Sequence, residues 1–152
     1  MSKKSKVQIK LLQIKELSFH CNDILENLDN KEIDEDLEIT LGFNFDPDIK
    51  DETIKANTIV TFSFKEEEFL KYENQLSFSV INIDKVFIKD GENIKIKDDF
   101  LVTLINISIG TTRGLLAKTT LGKKINEFPI PIIDSEEIIK QINESNCANP
   151  SA

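Results

Sequence analysis

His20 is the only histidine in the chain, and no cysteine or carboxylate stands near it at a metal-ligand spacing, so a catalytic or ligating role lacks its partners. Serines are plentiful, yet none sits in a nucleophile-elbow pattern, and the lone His20 is the only candidate base for acyl transfer. Asp46, Asp48, Asp51 and Glu52 crowd carboxylates into one stretch without the spaced oxygens and glycine of a calcium loop, which makes them a solvated acidic turn. Gly91 and Gly110 do not build a phosphate-cradling loop. Cys21 and Cys147 are two unclustered cysteines, which in a reducing compartment argue neither for a disulfide framework nor for a metal site. The expectation is a protein that is not an enzyme and uses no cofactor or metal.

What remains is apolar. Phe128, Ile130, Ile132 and Ile133 lie in the proline-punctuated run Phe128-Pro-Ile-Pro-Ile-Ile133, where each proline removes a donor and biases the preceding residue to extended geometry. Ile138, Ile139 and Ile142 follow at once. Two readings stand side by side: these residues lid a sheet and are plain core, or they line a groove that accepts apolar side chains of another polypeptide.

The elements that would position them can be read from periodicity. Val7, Ile9 and Leu11, then Leu12, Ile14, Leu17 and Phe19 after a change of face, predict one or two strands with a bulge near Leu11-Leu12. Ile24, Leu25 and Leu28 anchor a polar crossover over residues 20–36, as a loop or a helical turn. Leu37, Ile39, Leu41, Phe43 and Phe45 alternate with polar residues as a half-buried strand, ended by the turn residues Asp46-Pro47-Asp48. A second strand is expected from Thr58 to Lys65 and a third from Leu76 to about Ile88, separated by the charged Glu66-Glu67-Glu68 and closed by Asp90-Gly91. Short polar connections between strands point to an antiparallel sheet.

Residues 98–121 carry conflicting signals. The β-branched run Phe100 to Ile109 favours a strand by propensity, but Leu101, Leu104, Ile105, Ser108, Thr112, Leu115, Leu116 and Thr119 form an i, i+3, i+4 stripe that predicts one long amphipathic helix. On it, Gly110 and Gly114 lie one turn apart and would admit another helix closely. Gly122-Lys-Lys suits the helix end. Asp134-Ser-Glu-Glu137 resembles a capping box opening a short second helix.

The chain of 152 residues suits one domain, with 39% hydrophobic residues, 30% charged and ten phenylalanines; folding at that length buries roughly 70% of the surface of the unfolded chain. The expected organisation is a flexible basic stretch over residues 1–8, a single domain over 9–144 and a disordered tail over 145–152. Acidic residues outnumber basic ones 27 to 19, a field that repels phosphate backbones and anionic lipid, so nucleic acid is not an expected partner. The basic start lacks the apolar run of a secretory signal, and no unbroken apolar run approaches the ~18 residues of a membrane span, so a cytoplasmic protein without membrane insertion is expected.

Taken together, Ile14-Lys-Glu-Leu-Ser-Phe19, the alternating strand Leu37 to Asp46, Val86-Phe87-Ile88, Asn106 with Arg113, Gly122, and Phe128-Pro-Ile-Pro-Ile-Ile-Asp134 resemble, in order and spacing, the SecB family of export chaperones and its SecB-like relatives. The resemblance spans about residues 9 to 143. It implies an α+β fold, a four-stranded antiparallel Greek-key-like sheet with one long and one short helix on one side, and so implies the helix for residues 98–121. It further implies a dimer of dimers and ATP-independent holding of unfolded polypeptide clients, with Phe128, Ile130, Ile132, Ile138 and Ile142 at the peptide-binding positions and long helices meeting between dimers. Of the acidic positions through which such a chaperone docks the motor SecA, Glu16 alone has a counterpart, the others being His20, Ser77 and Ser79, which argues against motor docking. Relatives that guard an antitoxin need the groove and not that patch. An adaptor that reuses the fold to bind one folded partner is the alternative.

Overall fold

The computed structural model describes residues 7–90 and 93–148, which leaves Gly91, the first residues of the basic stretch and the last four of the expected tail outside the described residues. Four antiparallel strands, β1 (Gln8–Cys21), β2 (Leu37–Asp48), β3 (Thr53–Phe64) and β4 (Glu67–Ile81), form one sheet in the order β1-β4-β3-β2. The meander β2-β3-β4 is joined by β1 on its far side through the crossover that holds α1 (Asn30–Asp36), which is Greek-key order. A hairpin of β5 (Phe87–Asp90) and β6 (Asn93–Ile96) follows, then α2 (Asp98–Thr119) and α3 (Ser135–Ala148). The chain is thus α+β with a four-stranded antiparallel sheet and three helices.

Strict alternation shapes the sheet. On β3, Ile54, Ala56, Thr58, Val60, Phe62 and Phe64 are buried, and on β4 so are Leu70, Tyr72, Asn74, Leu76, Phe78 and Val80. The intervening residues, mostly polar, form the outer face, where Gln75 Nε2 donates to Asn57 Oδ1 at 3.0 Å. Leu37, Ile39, Leu41, Phe43 and Phe45 continue the inner row onto β2 and pack against the same core from its edge.

Three departures from the sequence reading concern strand ends, the first being that β3 begins at Thr53 rather than Thr58. β2 runs through Asp48, with Pro47 opposite Ile54, so the turn begins at Ile49, three residues later than expected. Proline is tolerated there because β2 is an edge strand, and one row of its N–H groups faces away from β3. β4 begins at Glu67 and ends at Ile81, where the third strand was expected from Leu76 to about Ile88; the charged residues that suggested a long connection, Glu67, Lys71 and Glu73, alternate with the buried row instead. A 3-10 turn, Ile83–Val86, then takes up Val86 and separates Phe87 and Ile88 from the main sheet.

The stripe on α2 behaves as the periodicity predicts. Leu101, Leu104, Ile105, Ser108, Thr112 and Leu116 are buried on the inner face of the sheet. By length and composition α2 is also apolar enough to cross a bilayer; here its apolar stripe is covered by the sheet and α3. α1 adds a third helix to the expected pair: Asp29 Oδ1 accepts from Glu32 N–H at 2.8 Å as its cap, and Ile33 is completely buried.

The β3-β4 hairpin closes through Lys65 and Glu66, both at positive φ, 49° and 67°. That is the geometry of a two-residue turn that favours Asn-Gly, because side chains with a Cβ are strained there. Replacing Glu66 by Gly is expected to raise the urea unfolding free energy by roughly 0.5–1 kcal/mol, the relief exceeding the added chain entropy. A destabilised Glu66→Gly protein in the same titration would show that the turn is unstrained.

Candidate functional site

The connection from α2 to α3 is fixed by polar bonds to its carbonyls and apolar anchors beneath it. Gly122, at φ 83°, takes the left-handed position of the turn that follows the helix, where Lys123 N–H donates to Thr120 O at 3.0 Å. Asn126 Nδ2 then donates to Ala117 O at 2.7 Å and to Thr120 Oγ1 at 3.1 Å, satisfying groups that the helix end leaves open. Arg113 reaches back from α2, its Nε donating to Ile130 O at 2.8 Å and its Nη2 to Pro131 O at 2.8 Å. The extended Pro-Ile-Pro run pairs with no strand among the described residues, so the guanidinium does for its carbonyls what a neighbouring strand would do. At α3, Asp134 Oδ1 accepts from Glu136 N–H at 3.0 Å, the first half of the expected capping box.

The predicted peptide-binding residues do not share one surface. Ile130 is only 3% exposed and belongs to the core with Phe62, Leu116 and Ile125, against which Phe128 packs half-buried. These two line a hollow of about 20 Å³, room for about one water. Ile132 points the other way and is 97% exposed. Ile138 and Ile142 are half-buried on α3, packed beside Ile139 against Leu101, Ile105 and Ile109.

A larger open groove lies between α3 and β2. It measures about 370 Å³ and is lined by Ile39, Thr40, Leu41, Ile133, Asp134, Glu137, Ile138 and Gln141. Of the five predicted positions only Ile138 contributes to it. The alternation of β2 placed Ile39 and Leu41 on the inner row, but nothing in the sequence said that β2 would be an edge strand with α3 beside it. Thr40 lines the groove although it belongs to the outer row. The groove therefore reaches the edge of the strand itself, where backbone N–H and C=O groups face away from β3.

A second uncovered surface lies on the opposite edge. β1 carries two register shifts, at Leu11/Gln13 and Glu16/Ser18. Each resets the alternation, leaving Ile9, Leu11, Ile14, Glu16, Phe19 and Cys21 opposite the buried row of β4 and Gln13, Lys15, Ser18 and His20 on the outer face. The first bulge is the one the sequence predicts; the second, at Leu17, explains why Phe19 returns to the inner row. The ends of that row are packed, by Ile9 and Cys21. Its middle is open, with Leu11 40%, Ile14 45% and Phe19 37% exposed. Burial pushes the nearby Tyr72 phenol up, Asn74 opposing the shift and Glu16 adding to it.

Glu16 pairs in register with Asn74, on the helix side of the sheet, whereas His20, Ser77 and Ser79 lie on the outer side. The four positions of the supposed motor patch are thus on opposite faces. Gly110 and Gly114 are exposed, and a Cβ added at either would touch nothing within 4 Å. Burial raises the Cys21 thiol above its ordinary range, Lys123 partly offsetting it, which keeps the sulfur protonated and a poor nucleophile. No group of three or more metal-ligating side chains converges among the described residues.

No family model matches the chain, and no curated protein matches it. Among solved structures, it is similar to a SecB-like chaperone of Mycobacterium tuberculosis in complex with a peptide from an antitoxin, at a TM-score of 0.47 and 9% identity, over 83% of this chain and 88% of that one.

The two isoleucines on either side of Pro131 should respond oppositely to charge. Ile130→Asp is expected to destabilise by about 3–5 kcal/mol, because its carboxylate would be buried without a partner, and Ile132→Asp to stay within about 0.5 kcal/mol of the parent. Equal losses in urea titration would contradict the placement of this segment. Arg113→Ala is expected to cost about 2–3 kcal/mol through two lost charge-assisted bonds, and to expose the 128–133 segment to limited proteolysis.

Proposed function

We propose that this protein is an ATP-independent holdase that binds non-native polypeptide segments in the cytosol, serving export or guarding a dedicated client such as an antitoxin. The observation that carries this reading is the groove between α3 and the free edge of β2. Its wall offers apolar pockets from Ile39, Leu41, Ile133 and Ile138. Its rim offers unpaired strand backbone. An unfolded chain presents apolar side chains and unsatisfied backbone together, and this pairing meets both needs, the backbone supplying affinity that does not depend on sequence. No bond need be made or broken and no nucleotide is required. Holding is an equilibrium in which each captured side chain gains about 1.5–3 kcal/mol of burial.

The protein acts as an oligomer in this proposal, built as a dimer of dimers. Two surfaces support that assembly. The open middle of the β1 row leaves Leu11, Ile14 and Phe19 in water, and Gly110 and Gly114 weaken α2 by about 1 kcal/mol each with no packing among the described residues to require them. A second copy covering each surface would account for both. Docking of the motor SecA is not part of the proposal, because Glu16 does not share a face with the other patch positions.

Aggregation suppression of a denatured, unrelated protein tests the holdase reading. Ile138→Asp is expected to lower suppression several-fold while thermal stability falls little, since that side chain is half-buried at an open groove where a carboxylate stays hydrated. Folded Ile138→Asp protein with full activity would remove the groove from the function, and a natural protein without any suppression would favour an adaptor. Light scattering at micromolar concentration is expected to show a dimer or tetramer that Ile14→Asp or Gly114→Leu dissociates; a 17 kDa species in the natural protein would overturn the assembly.

A further inference from the structure

The apolar core is interrupted across its middle. On one side lie Val60, Phe62, Leu70, Tyr72 and Leu116. On the other lie Ile54, Ala56, Leu76, Phe78 and Leu104. Between them the sheet presents Thr58 and Asn74, direct partners across β3 and β4. Above them α2 presents Ser108 and Thr112, one turn apart between Leu104 and Leu116. All four of these side chains are completely buried. One hydrogen bond crosses the layer, Asn74 Nδ2 to Thr112 Oγ1 at 2.9 Å. Thr58 Oγ1, Asn74 Oδ1 and Ser108 Oγ have no hydrogen-bond partner among the described residues.

A core of this size gains most from continuous apolar packing, and a polar layer left partly unsatisfied is its weakest plane. Opening along that plane lets water reach three polar atoms at once, so it relieves a penalty that opening elsewhere does not. The two apolar clusters are then joined through the backbones of β3, β4 and α2 and, to one side, through the cluster of Leu101, Ile105, Ile109 and Ile139, which shares Phe45 and Ile96 with one and Ile133 with the other. We infer that the Thr58-Asn74-Ser108-Thr112 layer divides the molecule into two units that open separately, with α2 bending at residues 108–112. The unit under Leu116 also contains Ile125 and Ile130, beneath the α2-α3 connection, so its opening frees that connection while the Leu104 unit stays closed. This inference is independent of what the groove holds.

Native-state hydrogen exchange on the full chain, read at backbone amides across a series of sub-denaturing urea concentrations, tests it. Amides of residues 60–64, 70–72 and 116 are expected to follow one urea dependence, and those of 54–56, 76–78 and 104 another, differing in rate by about tenfold or more. The double variant Thr58→Val, Ser108→Ala removes two unsatisfied hydroxyls and keeps the Asn74–Thr112 bond. In it the two dependences should merge, with the faster unit slowed by about tenfold. Should the double variant not fold, Thr58→Val alone is read for the same convergence in smaller degree. A single shared dependence in the natural protein, or two dependences unchanged in the folded variant, would overturn the inference.

Discussion

Everything in this molecule follows from how much of one sheet face its helices cover. Alternation on β3 and β4 makes that face apolar along its whole length, and it must be shielded from water for the sheet to be stable. α2 lies across β3 and β4, and α3 lies beside α2 toward β2. The centre is closed on all sides. Both margins are left incomplete, β1 because no helix overlies its middle and β2 because α3 meets it across a groove rather than in full contact.

The incomplete margins are also free strand edges. Exposed edges invite aggregation unless bent, charged or covered, and the two edges are managed differently. β1 is broken by two bulges and carries Lys10, Lys15 and His20 on its outer row. Those devices oppose indiscriminate pairing while the inner row remains apolar. β2 has no bulge, pairs with β3 without a register shift over twelve positions, and ends in Pro47 and Asp48. Its protection comes from α3 and the acidic rim of Asp134 and Glu137. Guarded edges of this kind suit the proposed holding of other chains without joining them irreversibly.

Much of the fold was legible because its signals are local. The period-two pattern of Leu37 to Phe45 and the stripe on α2 were readable without tertiary information, and the stripe overruled β propensity correctly because burial of one helical face outweighs a few tenths of a kcal/mol per β-branched residue. The site was far less legible. Which side of Pro131 faces the core depends on the carbonyls that Arg113 selects, a contact between residues 17 and 18 positions apart, so Ile130 and Ile132 looked equivalent in sequence and are opposite in structure. The face of Glu16 depends on two bulges whose positions follow from pairing with β4, and Ile39 and Leu41 become groove residues only because β2 falls at the edge.

The central claim is that the groove beside β2 is where other polypeptides bind. Titrating the isotopically labelled protein with an unstructured, apolar polypeptide and following backbone amide shifts tests it most directly, because it reports the contact surface without requiring any variant. The account predicts saturable shifts concentrated at residues 38–42 and 133–141. Shifts confined to the polar outer face, at residues such as Asn57, Gln75 and Ser77, or no shifts at millimolar polypeptide, on the order of the weakest specific affinities, would contradict it.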